Sequence, residues 1–136
     1  MSKALEVYNK LLFTGGIAFG SRALGVSTEK SDYDIAITID QLNTAIDTGL
    51  IRKTYSSWDI YEYFEVIPRN NDGYLIRQYN SNLDILVLPT MGDLLIMKSA
   101  MQHLNTLDKE LITNKEDRIE QHSNALLERG WVLRKK

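Results

Sequence analysis

Apolar residues recur at helical spacing from Ser2 to Leu12, at Ala4, Leu5, Val7, Tyr8, Leu11 and Leu12, and Thr14-Gly15-Gly16 then breaks the pattern. The chain is therefore expected to open on a helix. Ile17-Ala18-Phe19, closed by Gly20-Ser21, reads as a short buried strand entering a tight turn. A second strand is expected over Ser31 to Ile39, polar at its start and β-branched at Ile35, Ile37 and Ile39. Asp40 stands where a helix N-cap would, with Leu42, Ala45, Ile46 and Gly49 following at i, i+3, i+4 and i+7, and that helix should end near Gly49.

The runs Trp58 to Ile67 and Tyr74 to Tyr79 are rich in aromatic and β-branched residues, and Arg69-Asn70-Asn71-Asp72-Gly73 between them has hairpin-loop chemistry. Two antiparallel strands are expected there. Leu83 to Leu88 reads as a further strand stopped by Pro89; Thr90 starts a helix reaching about Leu104, and Asn114 caps another that Gly130 terminates. Arg134-Lys135-Lys136 reads as a solvated end. The alternation of strands and helices predicts an α/β (α+β) domain, with a mixed twisted sheet flanked by helices and closed by C-terminal helices.

Length and composition narrow the class without naming it. At 136 residues, 43% hydrophobic and 25% charged, the chain suits one domain over 1–136 with a single core. A formal charge of −2 offers phosphate backbones no global attraction, so long nucleic acid is the less favoured partner and any such substrate must be gripped locally. The absence of cysteine excludes disulfides and thiolate metal sites. No apolar run approaches the ~20 residues of a membrane span, and the first ten residues lack a secretory core, so a cytoplasmic protein is expected.

The chemistry concentrates in Gly20-Ser21-Arg22-Ala23-Leu24-Gly25 and Ser31-Asp32-Tyr33-Asp34-Ile35. In a strand, residues i and i+2 share a face, so Asp32 and Asp34 can present two carboxylates to one side. A Gly-Ser turn after a strand can aim backbone N–H groups at phosphate oxygens, and glycine allows close approach. Hard oxygen donors of this kind suit Mg²⁺ or Mn²⁺, which bind substrate phosphates beside one or two carboxylates. Asp84 is a lone carboxylate in the apolar run Leu83-Asp84-Ile85-Leu86-Val87-Leu88, costly to bury unless a metal, a cation or solvent compensates it. An edge-strand aspartate facing water is the alternative.

This segment resembles the signature of the nucleotidyltransferase superfamily, the polymerase-beta-like and minimal nucleotidyltransferases: Gly-Ser, ten residues (here Arg22 to Ser31), then Asp-x-Asp. The resemblance spans about Gly15 to Lys98 and implies the nucleotidyltransferase fold. It implies a metal-dependent enzyme that moves a nucleoside monophosphate from a nucleoside triphosphate, ATP foremost, onto a hydroxyl of a small molecule or protein side chain. Asp32, Asp34 and Asp84 would be catalytic and hold Mg²⁺ or Mn²⁺, and Asp84 would accept the acceptor's proton. Gly20, Ser21, Arg22, Ser31 and Lys98 would contact the nucleotide. Lys98 lies at the margin of the stripe Leu94, Met97, Met101, Leu104, and a snorkelling surface lysine is the other reading. Leu24 stands where the family often has arginine, and Lys115-Glu116-Asp117 only loosely matches its Lys-Asp pair, so no role is assigned there. His103 and His122 have no clustered second ligand. Tyr55, Trp58, Tyr61, Tyr63 and Phe64 could stack a base or simply pack in the core. Two rival readings stand: an antitoxin that transfers AMP to a partner toxin, and a catalytically idle domain that binds nucleotide or a partner.

Overall fold

A computed structural model describes residues 2–69 and 73–134. Helix α1 (Lys3–Phe13) is capped by the Ser2 hydroxyl, which accepts the Leu5 N–H at 3.1 Å. Strand β1 (Ile17–Phe19) runs directly into the four-residue helix α2 (Gly20–Ala23), and β2 (Tyr33–Thr38) follows. Helix α3 (Ile39–Asp47) begins earlier than the sequence pattern suggests. Its cap is Thr38 rather than Asp40: the Thr38 hydroxyl accepts the Gln41 N–H, and the Gln41 side chain returns to the Thr38 N–H, a reciprocal pair that satisfies two orphan donors.

The long aromatic strand expected over Trp58 to Ile67 is instead broken in three. Strand β3 (Ser57–Asp59) gives way to a 3₁₀ turn (Ile60–Glu62) and then β4 (Val66–Ile67). Only β3 pairs with β5 (Tyr74–Tyr79); β4 pairs with β7 (Val132–Leu133) in a separate two-stranded ribbon. Burial explains the break: Ile60, Phe64 and Val66 share one parity and are buried, but Trp58 and Glu62 have that parity too and are exposed, so a straight period-2 strand would carry the Glu62 charge into the core, and the 3₁₀ turn keeps it out. The tip of the expected hairpin loop, residues 70–72, and Lys135 and Lys136 of the expected solvated tail lie outside the described residues. Strand β6 (Leu83–Leu88), helix α4 (Met91–Leu104, capped by Thr90) and helix α5 (Lys115–Glu128, capped by Asn114) fall where the sequence places them.

The architecture is an α/β fold, a mixed five-stranded sheet in the order β1-β2-β6-β5-β3 with helices on both faces and α4 and α5 toward the C-terminus. Strands β2 and β6 are parallel and central; the remaining pairings are antiparallel. Alternation along the strands divides the core. Ile35, Ile37, Ile85 and Val87 pack on one face with α1 and α3, while Ala36, Leu86 and Leu88 pack on the other with α4 and α5. Asp34 and Asp84 have the parity of the second group, so both turn toward the α4/α5 face. Among the described residues no helix is long and apolar enough to cross a membrane.

Candidate functional site

Asp34 and Asp84 face each other across the two central strands, directly paired in the parallel register of β2 and β6. They are 6% and 5% exposed, so both carboxylates are taken almost wholly out of water. Because β6 lies between β2 and β5, Asp84 is not on a sheet edge, and the reading of a solvated edge aspartate falls. Asp32 sits just ahead of β2, half-buried and on the same side by period 2.

Electrostatics follow from this geometry. Burial, then the Asp84 charge, then the Asp32 charge push Asp34 well above the usual carboxylate range, while Arg118 and Lys115 pull it down. Asp84 is also raised, by burial first and by Asp32; the Gln78 N–H, Arg77 and Lys115 oppose the shift. The Gln78 contact is a hydrogen bond of 2.8 Å to Asp84 Oδ1. It exists because the pairing of β5 and β6 slips between Ile76 and Tyr79, and Gln78 takes a left-handed φ of 53° that swings its N–H out of the ladder. Strain at Gln78 is thus coupled to the aim of Asp84.

The Gly-Ser turn closes the other side. Gly20 has φ +78°, and a Cβ there would stand 2.1 Å from Asp34 Oδ2, so the missing side chain makes room for this carboxylate. Ser21 is buried beside it. Arg22 and Ser31 are engaged in holding the following loop. Arg22 donates to the Ser31 carbonyl through Nε at 3.0 Å and a terminal nitrogen at 2.8 Å, with its guanidinium 4.1 Å from the Tyr33 ring centre. The Ser31 hydroxyl accepts the Thr28 N–H at 2.9 Å.

The cations acting on the carboxylates are ones to which the sequence assigns no role. Lys98 is exposed on α4, whereas Lys115 and Arg118 project from the first turns of α5. Arg118 donates to the Ile112 and Thr113 carbonyls at 3.1 Å each, and its Nε is buried with no partner among the described residues. One turn further along α5, His122 sits between aromatic rings, 5.9 Å from Phe19 and 4.7 Å from Phe64, with Nε2 3.1 Å from Met97 Sδ. Burial lowers it to about 3, so this histidine is a neutral core residue. His103 closes the last turn of α4.

Tyr63 is a further group at the site. Its ring meets Phe19 edge-on at 5.6 Å, and Phe19 is the register partner of Asp34. Burial, then Asp34, raise its phenol, so it is a neutral donor. The other aromatics of the expected cluster disperse. Phe64 joins the core, Tyr55 stacks on Tyr74, Trp58 lies under Arg77 and Tyr61 under Arg134.

Chemically, the site holds an excess of buried negative charge on hard oxygens. Among the described residues no three or more histidine, aspartate or glutamate side chains close around one point as a complete metal shell. Asp34 and Asp84 nevertheless fit the open shell of Mg²⁺ or Mn²⁺, in which one or two carboxylates leave positions for water and phosphate.

Comparison with known proteins gives little beyond the geometry. No family model matches the chain, and no solved structure matches it. The chain is similar to the mitochondrial RNA-binding protein RMD9 of Meyerozyma guilliermondii, at 29% identity over 116 residues, covering 82% of this chain and 18% of that protein.

Proposed function

We propose that this chain is a metal-dependent nucleotidyltransferase, built on the nucleotidyltransferase fold, that moves a nucleoside monophosphate from a nucleoside triphosphate, ATP foremost, to a hydroxyl acceptor. The observation that carries the reading is the in-register pair Asp34 and Asp84, buried together beside the Gly20-Ser21 turn. Structural ion pairs neutralise themselves, whereas here burial and the neighbouring carboxylates raise the proton affinity of Asp34 and of Asp84 against the opposition of Arg118, Lys115, Arg77 and the Gln78 N–H. A divalent cation held by Asp34 and Asp84, with Asp32 beside them, would neutralise the triphosphate charge.

The chain's own residues have separable roles. Asp84 keeps Oδ1 on the Gln78 N–H, which leaves Oδ2 to accept the proton of the attacking hydroxyl. Gly20 and Ser21 bring backbone to the phosphates; Arg22 and Ser31 brace the loop that carries Asp32. Lys115 and Arg118 oppose the charge that builds on the departing pyrophosphate. The acceptor is a small molecule or a protein side chain, and a chain without cysteine suits the reducing cytoplasm. Incubation with NTPs labelled at the α-phosphate, Mg²⁺ or Mn²⁺ and a cell lysate tests the reading. Label on an acceptor supports it; bound but unconverted NTP points to the idle domain.

The likeness to a protein named as RNA-binding favours a second reading, in which the chain also contacts RNA. It leaves the carboxylate chemistry unchanged.

A further inference from the structure

A net charge of −2 hides an uneven distribution. A cavity of about 720 Å³ between α1 and the chain after α3 is lined by Lys3, Lys10, Phe13, Arg52, Tyr79 and Asn80 among others. A second cavity, about 350 Å³, is lined by Arg52, Tyr55, Arg77, Tyr79 and Asn80 among others. Arg52, Tyr79 and Asn80 belong to both, so the two adjoin. Among the described residues, four cations line them against the single carboxylate of Glu6.

We propose that the two cavities form one track for a single strand of nucleic acid, RNA in the first instance, with its phosphates against Lys3, Lys10, Arg52 and Arg77. This rests on the RNA-contact reading above and gives it a place. Three features favour a strand over a free phosphate. Arg52 is already ordered, its guanidinium 4.7 Å from the Tyr79 ring centre and one nitrogen 3.1 Å from Asn80 Oδ1, so little side-chain freedom is lost on binding. Phe13 lines the first cavity and is 92% exposed, so its ring face is open for a base to stack on. In the second cavity Arg77 spreads over the half-exposed Trp58 ring, at 5.5 Å, so aromatic surface accompanies the cations in both cavities. Cations that track a backbone, with rings beside them for unstacked bases, form a single-strand site; a duplex keeps its bases stacked and offers those rings nothing. Arg77 also acts on Asp84, so one end of the track adjoins the carboxylate site.

The test is fluorescence anisotropy with a labelled oligouridylate of about 15 nucleotides, the matching deoxy strand and a duplex of the same length, over about 50–200 mM salt. With four phosphate contacts, the logarithmic salt slope for the single strands should be about −3. Lys3→Ala/Lys10→Ala, at two exposed positions, should flatten the slope by one to two and weaken binding about tenfold at the lowest salt. Phe13→Ala should weaken it about fivefold without changing the slope. Similar affinity for the two single strands, with the duplex weaker, supports the track. If RNA binds but the lysine and Phe13 variants bind as the parent does, the track is wrong while RNA contact survives. If nothing binds at the lowest salt, both fall, and the transfer assay is unaffected by either result.

Discussion

Gly20 and Asp34 interlock: the carboxylate Oδ2 of Asp34 occupies the space a side chain on Gly20 would need, 2.1 Å from the Cβ position. Gly20→Ala should therefore act twice. The left-handed φ of +78° should cost about 1–2 kcal/mol of stability, and the Asp34 carboxylate must leave its present position. Urea unfolding should register the first effect and a transfer assay the second, as a loss of about tenfold or more. In an Asp34→Ala background the clash with the carboxylate disappears, and the remaining stability cost should be that of the φ strain and the 3.2 Å approach to the Cβ of residue 34.

Asp84→Asn preserves shape and keeps a carbonyl oxygen for the Gln78 N–H while removing a charge that Asp32 opposes. The folded protein should be as stable as the parent or more so, because a buried carboxylate that its neighbours only partly compensate is gone. Transfer should fall at least ~100-fold. Thermal unfolding and turnover on the same sample check both halves, and parental turnover in a folded Asp84→Asn protein would place the base elsewhere.

His122 gives a pH signature. Its folded pKa, about 3, lies below the ordinary value of 6.5, so below pH 6.5 the unfolded chain binds a proton that the folded one refuses. This term lowers stability as pH falls from 6.5 toward 3, by up to about 1.4 kcal/mol per pH unit. Asp34 and Asp84, both raised, act oppositely: folding favours their protonated forms, so their unfavourable contribution at neutral pH is relieved as pH falls. Replacing His122 isolates its term. From pH 7 to pH 4.5, His122→Leu should lose less stability than the parent, or gain some, read as urea midpoints; an equal change in the two proteins would mean that His122 is protonated in the fold.

Lys115 and Arg118 predict a different phenotype from the aspartates. Lys115→Gln sits on an exposed helix start and should leave stability nearly unchanged while raising the KM for nucleotide several-fold. Arg118→Gln also removes bonds to the Ile112 and Thr113 carbonyls and should cost about 1–2 kcal/mol besides. Steady-state kinetics with denaturant titration separates the two, and an unchanged KM in Lys115→Gln would remove that residue from the site.

The carboxylates were legible because both signals are local: Asp32-x-Asp34 carries period 2, and Asp84 interrupts an apolar run. That β2 and β6 are parallel neighbours was not, since a crossover partner leaves no mark at short range. Thr38 is both the last residue of β2 and the cap of α3, and Asp40 two positions on has the cap chemistry that draws attention from the Thr38–Gln41 box. The Trp58 to Ile67 run looked continuous because composition there favours strand, while its true partner for β4 is Val132–Leu133 at the other end of the chain. Lys115 and Arg118 read as an ordinary helix start; their closeness to Asp34 depends on how α5 docks through His122 onto Phe19 and Phe64. The row of Lys3, Lys10, Arg52 and Arg77 is assembled from three distant stretches, so net charge could not reveal it.

The most direct test of the account is transfer of α-labelled ATP by the parent, Asp34→Asn and Asp84→Asn proteins, each with Mg²⁺, with Mn²⁺ and with EDTA. The account predicts label on an acceptor only for the parent, only with metal, and released pyrophosphate in equal amount. Equal transfer in EDTA, or transfer undiminished in both aspartate variants, would contradict it.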